Sequence, residues 1–179
     1  MREAAAYIVT EAQKALDGVD DGAVDTFVDA IIGAKKIFVY GVGRSGMVAK
    51  AFAIRLVQLG LDVHMIGETT TPIVESSDLV LIVSNTGETM SAIQTANIVG
   101  RIGAKVALVT ANAHSKLASA SSIVVELPVQ RDENRPKYAP LGTLFEASAF
   151  LFLDSLVPVL MKKLDQTEHM MRRRHAIWV

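Results

Sequence analysis

Apolar positions follow two rhythms along this chain. Residues 37–40, 63–66, 79–83, 105–110 and 123–127 are short runs of mostly Val, Ile, Leu and Phe, bounded by Gly, Asp or Ser. Runs of this length and composition predict strands buried on both faces. Elsewhere apolar residues recur every three or four positions, which predicts helices over 3–16, 24–32, about 46–59, 90–101, a short 115–120, and a long one over about 143–163. Asp and Gly residues break the pattern between 17 and 22, and Gly60 and Gly103 suit helix C-caps. Residues 128–140, charged and proline-containing, read as a loop. Strand alternating with helix implies an α/β fold with a mostly parallel sheet and right-handed crossovers.

Composition narrows this without changing it. A chain of 179 residues, 50% hydrophobic, is long enough for one domain with a substantial core. Its parts are N-terminal helices (1–33), an α/β core (37–127), a long helix (141–164) and a tail (165–179). The stretch 141–160 is as apolar and as long as the roughly 20 residues a bilayer requires. Glu146, Asp154 and Pro158 within it favour a helix buried under a sheet or a subunit. A net charge of −1 leaves no electrostatic footprint for nucleic acid or an anionic membrane, so neither partner is expected. The absence of cysteine excludes disulfides and thiolate metal sites, and no histidine pair has metal-ligand spacing around an acid, so no metal is expected. Glu3 and Glu11 interrupt the Ala-rich N-terminus, which does not read as a signal peptide; a cytoplasmic protein is expected.

Candidate chemistry sits in the loops after three strands. The first reads Gly41-Val-Gly-Arg-Ser-Gly46. Glycines let backbone approach a ligand, and the free N–H groups and positive dipole end of the next helix attract an anion. The spacing matches the dinucleotide fingerprint, with Glu68 as a ribose acid, although Glu68 lies 27 residues beyond Gly41 where about 20 is usual. Arg44 and Ser45 point instead to a terminal phosphate dianion, which a guanidinium and a hydroxyl suit better than a bridging pyrophosphate. The second loop, Gly67-Glu-Thr-Thr-Thr-Pro72, puts hydroxyls including Thr70 and Thr71 at the ligand-binding edge of the sheet, or forms only a turn and cap cluster. The third, Ser84-Asn-Thr-Gly-Glu-Thr89, offers three hydroxyls around one glycine: Ser84, Thr86 and Thr89 can each donate to a phosphate oxygen, while Thr89 alone reads equally well as an N-cap.

Taken with Pro140-Leu-Gly-Thr-Leu-Phe-Glu146, Met171 and Arg174-His175-Ala176, these loops resemble the sugar isomerase (SIS) domain family over nearly the whole chain, and within it the hexulose-phosphate isomerase branch of the ribulose monophosphate pathway. The resemblance implies a single-domain, flavodoxin-like three-layer sandwich with a five-stranded parallel sheet flanked by helices. It also implies isomerisation of D-arabino-3-hexulose 6-phosphate to fructose 6-phosphate without a cofactor, in a homo-oligomer, typically a tetramer. By that similarity Gly43, Ser45, Ser84, Thr86 and Thr89 hold the substrate phosphate, Thr70 and Thr71 contact substrate, and Glu146 is the base. Two segments depart from the family pattern. Asn85 and Thr86 stand where the family more often has Gly and Ser, and Ile177-Trp178-Val179 follows Ala176 where it tends to have Asn-Leu-Glu.

Moving a ketose carbonyl by one carbon needs a base for the α-proton, an enediolate, and a proton returned to the neighbouring carbon. A carboxylate in an apolar stretch, where desolvation disfavours the charge, can be poised for this near neutral pH. Glu146, among Phe145, Ala147, Ala149 and Phe150, fits that description; equally, Thr143-x-x-Glu146 reads as a capping box with no chemical role. Arg44 is a candidate for stabilising the enediolate or binding phosphate. Glu88 is a candidate proton shuttle, or simply favours its helix N-terminus. His175, beside the basic run 172–174, is the candidate acid or ring-opening group, with a solvated basic tail as the alternative. Another aldose-ketose phosphate isomerase, such as one acting on arabinose 5-phosphate, is the alternative among enzymes, and a non-catalytic sugar-phosphate sensor is the competing function class.

Overall fold

The five apolar runs pair as five parallel strands in the order β2-β1-β3-β4-β5 in the computed structural model, which describes residues 1–130 and 132–176. In chain order the elements are α1 (Arg2–Asp17), α2 (Asp21–Gly33), β1 (Ile37–Gly41), α3 (Gly43–Gln58), β2 (Val63–Met65), β3 (Leu79–Ser84) and α4 (Met90–Ile102). Then come β4 (Lys105–Thr110), α5 (Lys116–Ser119), β5 (Ile123–Glu126), α6 (Arg135–Tyr138), α7 (Thr143–Lys163) and α8 (Glu168–Arg173). This is the flavodoxin-like order, whose direction of winding reverses between β1 and β3, and ligands bind such sheets outside the carboxyl ends at that switch point.

Every residue of β3 is buried because both faces of the sheet are covered. Leu79, Leu81 and Val83 face a core shared with Phe27 of α2, Phe52 of α3 and Phe152 of α7. Val80 and Ile82 turn to the opposite face, where Ala92, Ala96 and Val99 of α4 and Leu117 of α5 cover them. The result is the three-layer α/β sandwich. Among the described residues α7 alone is long and apolar enough to cross a membrane, and it packs one face against the core, burying Phe145, Ala149, Leu153, Leu156 and Leu160.

Four local expectations are corrected. Helix α3 begins at Gly43 rather than near Gly46, so the glycine-rich loop is itself the first turn of the helix. The 128–140 segment contains α6, with proline in its first turn, and the tail contains α8, which Thr167 caps by accepting from Met170 N–H at 3.3 Å. The tail is then tied back, as Arg174 donates to the carbonyl of Gln58 (3.1 Å) at the C-terminal end of α3, where a cation is favoured. Ile177-Trp178-Val179 lies outside the described residues. Thr143 is the first residue of α7 and not its cap: Gly142 is the N-cap, and the Thr143 hydroxyl donates to Pro140 O at 2.7 Å. There is no capping box.

Candidate active site

The close approach of β1 to α3 requires the glycines of the first loop. A Cβ on Gly46 would lie 2.5 Å from the carbonyl oxygen of Gly41, and Gly43 has φ +60°, a left-handed value that L side chains rarely adopt. Starting α3 this early places Gly43, Arg44 and Ser45 in the first helical turn, whose N–H groups have no partner within the helix.

Ser45 meets the third loop across a cavity of about 210 Å³ at the β1/β3 switch point, lined by Val42, Ser45, Ser84, Asn85, Thr86 and Thr89 among others. Ser84 is buried at the last position of β3, and Thr89 is the N-cap of α4 by position, yet its side chain makes no cap hydrogen bond. Among the described residues the hydroxyls of Ser45, Ser84 and Thr89 have no protein partner, while Thr86 Oγ1 accepts from Glu88 N–H at 3.3 Å. The loop's carbonyls turn the other way. Asn85 O accepts from Ala111 N–H (3.1 Å) and the Thr110 hydroxyl (3.2 Å), and Gly87 O from Leu117 N–H (3.0 Å). Acceptors turned outward and donors left over on the inner side make a cradle for an anion.

Glu146 stands beside this cradle. Its side chain is 11% exposed, and its carboxylate accepts a hydrogen bond from Arg44 Nε, whose own side chain is 74% exposed. Of the neighbours that made its stretch apolar, Phe145 and Ala149 are buried in the core. Glu146 Oε1 and Asn85 Nδ2 both approach Gly142, lying 2.8 and 3.4 Å from the point a Cβ there would occupy. A carboxylate and a guanidinium therefore adjoin the hydroxyl cradle, and Asn85 joins it as a lining residue. The sequence signal for Asn85 was its place inside a hydroxyl-rich loop.

The other expected residues lie elsewhere. Thr70, Thr71 and His175 line a second cavity of about 400 Å³ with Lys50, His64, Glu68 and Arg174, and no residue lines both cavities. The Thr71 hydroxyl is turned into its own loop, against Met65 O (2.6 Å) and Glu68 O (2.7 Å), as the turn reading expects. Glu68 lines this second cavity and not the one beside the glycine-rich turn. Glu88 does not line the cradle's cavity; its carboxylate accepts from Lys116 N–H (3.2 Å) and pairs with Lys116 Nζ (3.2 Å).

The SIS domain model matches residues 30–151. A protein of Bacillus subtilis named 3-hexulose-6-phosphate isomerase is 34% identical over 97% of this chain and 96% of its own length. One of the same name from Methanocaldococcus jannaschii is 36% identical over 86% of this chain and 82% of its own. The crystal structure of a hypothetical protein from Methanococcus jannaschii, for which a function of 3-hexulose-6-phosphate isomerase was inferred, superposes with a TM-score of 0.85 at 31% identity, over 97% of this chain and 96% of that one. The chain belongs to the SIS domain family, as a phosphosugar isomerase.

Proposed function

We propose that the chain is a 3-hexulose-6-phosphate isomerase, converting D-arabino-3-hexulose 6-phosphate into fructose 6-phosphate. The observation that carries the reading is the Arg44–Glu146 pair beside a cradle of unpartnered hydroxyls and helix N-terminal N–H groups. Ser45, Ser84, Thr86 and Thr89, with the backbone at Gly43, hold the terminal phosphate and so fix the distance from C6 to the reacting carbons. Glu146 removes the proton from C2, leaving a 2,3-enediolate. Arg44, already against the carboxylate and otherwise solvent-facing, is placed to balance the negative charge that moves from Glu146 to the enediolate oxygen. The proton returns to C3 while the proton of the C2 hydroxyl passes to the oxygen on C3, which leaves the carbonyl at C2 and a hydroxyl at C3. Atoms and electrons balance within the sugar, and no cofactor is needed.

In this reading Thr70 and His175 act across a subunit contact, since within one chain they line a different cavity, while Thr71, expected to contact substrate, shapes the loop that carries Thr70. A homotetramer is supported by apolar side chains left in solvent on α3 and α7, namely Met47, Ile54, Val57 and Leu151. The test of the reaction is to supply D-arabino-3-hexulose 6-phosphate and arabinose 5-phosphate separately and follow product. Formation of fructose 6-phosphate at a far higher kcat/KM than any turnover of arabinose 5-phosphate is expected. Preference for the pentose phosphate, or binding without turnover, would refute it. Light scattering decides the oligomer.

A further inference from the structure

Three consecutive carbonyls of the third loop are anchored to the segment between β4 and α5. Besides those of Asn85 and Gly87, Thr86 O accepts from Asn112 Nδ2 at 3.4 Å. Gly87, with φ +66°, lies so close to Ser115 that a Cβ would sit 1.9 Å from Ser115 Oγ. Ser115 in turn caps α5 by accepting from Ala118 N–H at 3.2 Å. Glu88 completes this seam, bridging to both the backbone and the ammonium of Lys116. Among the described residues no other charged group in the seam joins this loop to α5.

We propose that Glu88 is a positioning residue for phosphate binding, which holds the 84–89 loop against the start of α5 through Lys116 and thereby keeps the loop's donors facing the cradle. This rests on the sugar-phosphate reading of the site and gives Glu88 a part other than proton transfer. The Lys116 backbone N–H and then its ammonium hold the Glu88 carboxyl below the usual carboxylate range, so at neutral pH it has no proton to give. A fixed anion in a phosphate-binding loop would repel the ligand, and Lys116 offsets it. The ion pair is exposed, with the two side chains 75% and 45% accessible, so the backbone hydrogen bond contributes the larger share of the bracing.

The experiment measures inorganic phosphate affinity by thermal stabilisation and competitive inhibition, with KM and kcat beside it, for Glu88→Ala, Glu88→Gln, Lys116→Met and the Glu88→Ala/Lys116→Met double variant. Glu88→Ala should weaken phosphate and raise KM about tenfold with kcat within about twofold of the parent, the loss of one charge-assisted hydrogen bond. Lys116→Met keeps its backbone N–H and should cost only about twofold, and the double variant should be no worse than Glu88→Ala. Glu88→Gln, which keeps an acceptor, should fall between and serves if the alanine variant does not fold. A kcat loss of about a hundredfold at unchanged KM would overturn the proposal in favour of proton transfer; unchanged phosphate affinity, or multiplicative effects in the double variant, would overturn it as well. If the parent binds phosphate but does not turn over the 3-hexulose phosphate, the proposed reaction fails while phosphate affinity still decides the role of Glu88. A parent that binds no phosphate overturns both.

Discussion

Glu146→Gln separates chemistry from structure because it keeps the shape of the side chain and its capacity to accept from Arg44 Nε while removing the base. The structural cost follows from the exposure of the two partners. Arg44 is 74% exposed, so its side of the pair is solvated and screened, and losing the charge on Glu146 should destabilise the fold by no more than about 1 kcal/mol. For a domain of this size that lowers Tm by no more than about 2–4 °C. In the proposed reading the substrate phosphate is held by Ser45, Ser84, Thr86 and Thr89, none of which contacts Glu146 through a hydrogen bond, so KM should move by less than about threefold. The chemical cost is of another order: a positioned general base contributes about 10²–10⁴-fold, or roughly 3–5.5 kcal/mol of barrier. The assay couples fructose 6-phosphate formation to a dehydrogenase readout, with calorimetry on the same sample. A folded variant with KM and Tm near the parent and kcat reduced at least a hundredfold is expected. Full rate in a folded Glu146→Gln would refute the assignment of the base, and a Tm loss above about 10 °C would show that the carboxylate is chiefly a structural brace of the α3–α7 contact.

Further perturbations probe the cradle and its supports. Ser84→Ala removes a hydroxyl from the 210 Å³ cavity without disturbing the β3–β4 ladder, and should raise KM and the phosphate inhibition constant by about 10- to 150-fold, the range of about 1.5–3 kcal/mol for a hydrogen bond to a charged group, with kcat changed far less. Gly46→Ala forces a Cβ to 2.5 Å from Gly41 O, backbone against backbone, and should cost about 1–3 kcal/mol in urea unfolding together with weaker phosphate binding. Tyr7 donates to Asp132 at 2.6 Å, tying α1 to the segment that leads into α7; partial desolvation, and then the hydrogen bond to Asp132, push its phenol up to about 12. Because the folded value lies above the ordinary 10, this contribution to stability is complete below pH 10 and is lost as pH rises towards about 12, and ultraviolet titration of phenolate should find one tyrosine that ionises late. Asp132→Asn should bring that tyrosine down, and an unchanged titration would remove the clasp from the account.

The parts of the fold legible in the sequence were those set by local rhythm. Each of the five strands lies within a residue or so of its apolar run, because a strand covered on both faces is apolar along most of its length, as β3 is from Leu79 to Val83. The helix starts were less legible, and α3 shows why. Glycine reads as a loop former, but Gly46 is inside the helix because only a residue without Cβ can pass within contact of Gly41, which is a tertiary demand. Helix α6 is a single turn, too short to show a period. The same division runs through the site. Hydroxyl-rich loops after strands were visible as loops, yet which polar group faces which was decided by partners distant in sequence. Thr143-x-x-Glu146 has the spacing of a capping box, and a capping box would have turned Glu146 back on its own helix. Instead the Thr143 hydroxyl donates to Pro140 O, and Glu146 is free to meet Arg44, 102 residues away in the chain. Glu88 has equally good local reasons to favour its own helix N-terminus, and is taken by Lys116, 28 residues on. In both cases a local capping interaction, with a typical strength of about 1 kcal/mol, gives way to a charge-assisted bond of similar size that exists only once the sheet has brought the partners together. The longer-range bond wins, and in the proposed reading the carboxylate's function follows its partner: beside Arg44 it would face the substrate, and beside Lys116 it would brace the loop that holds the phosphate.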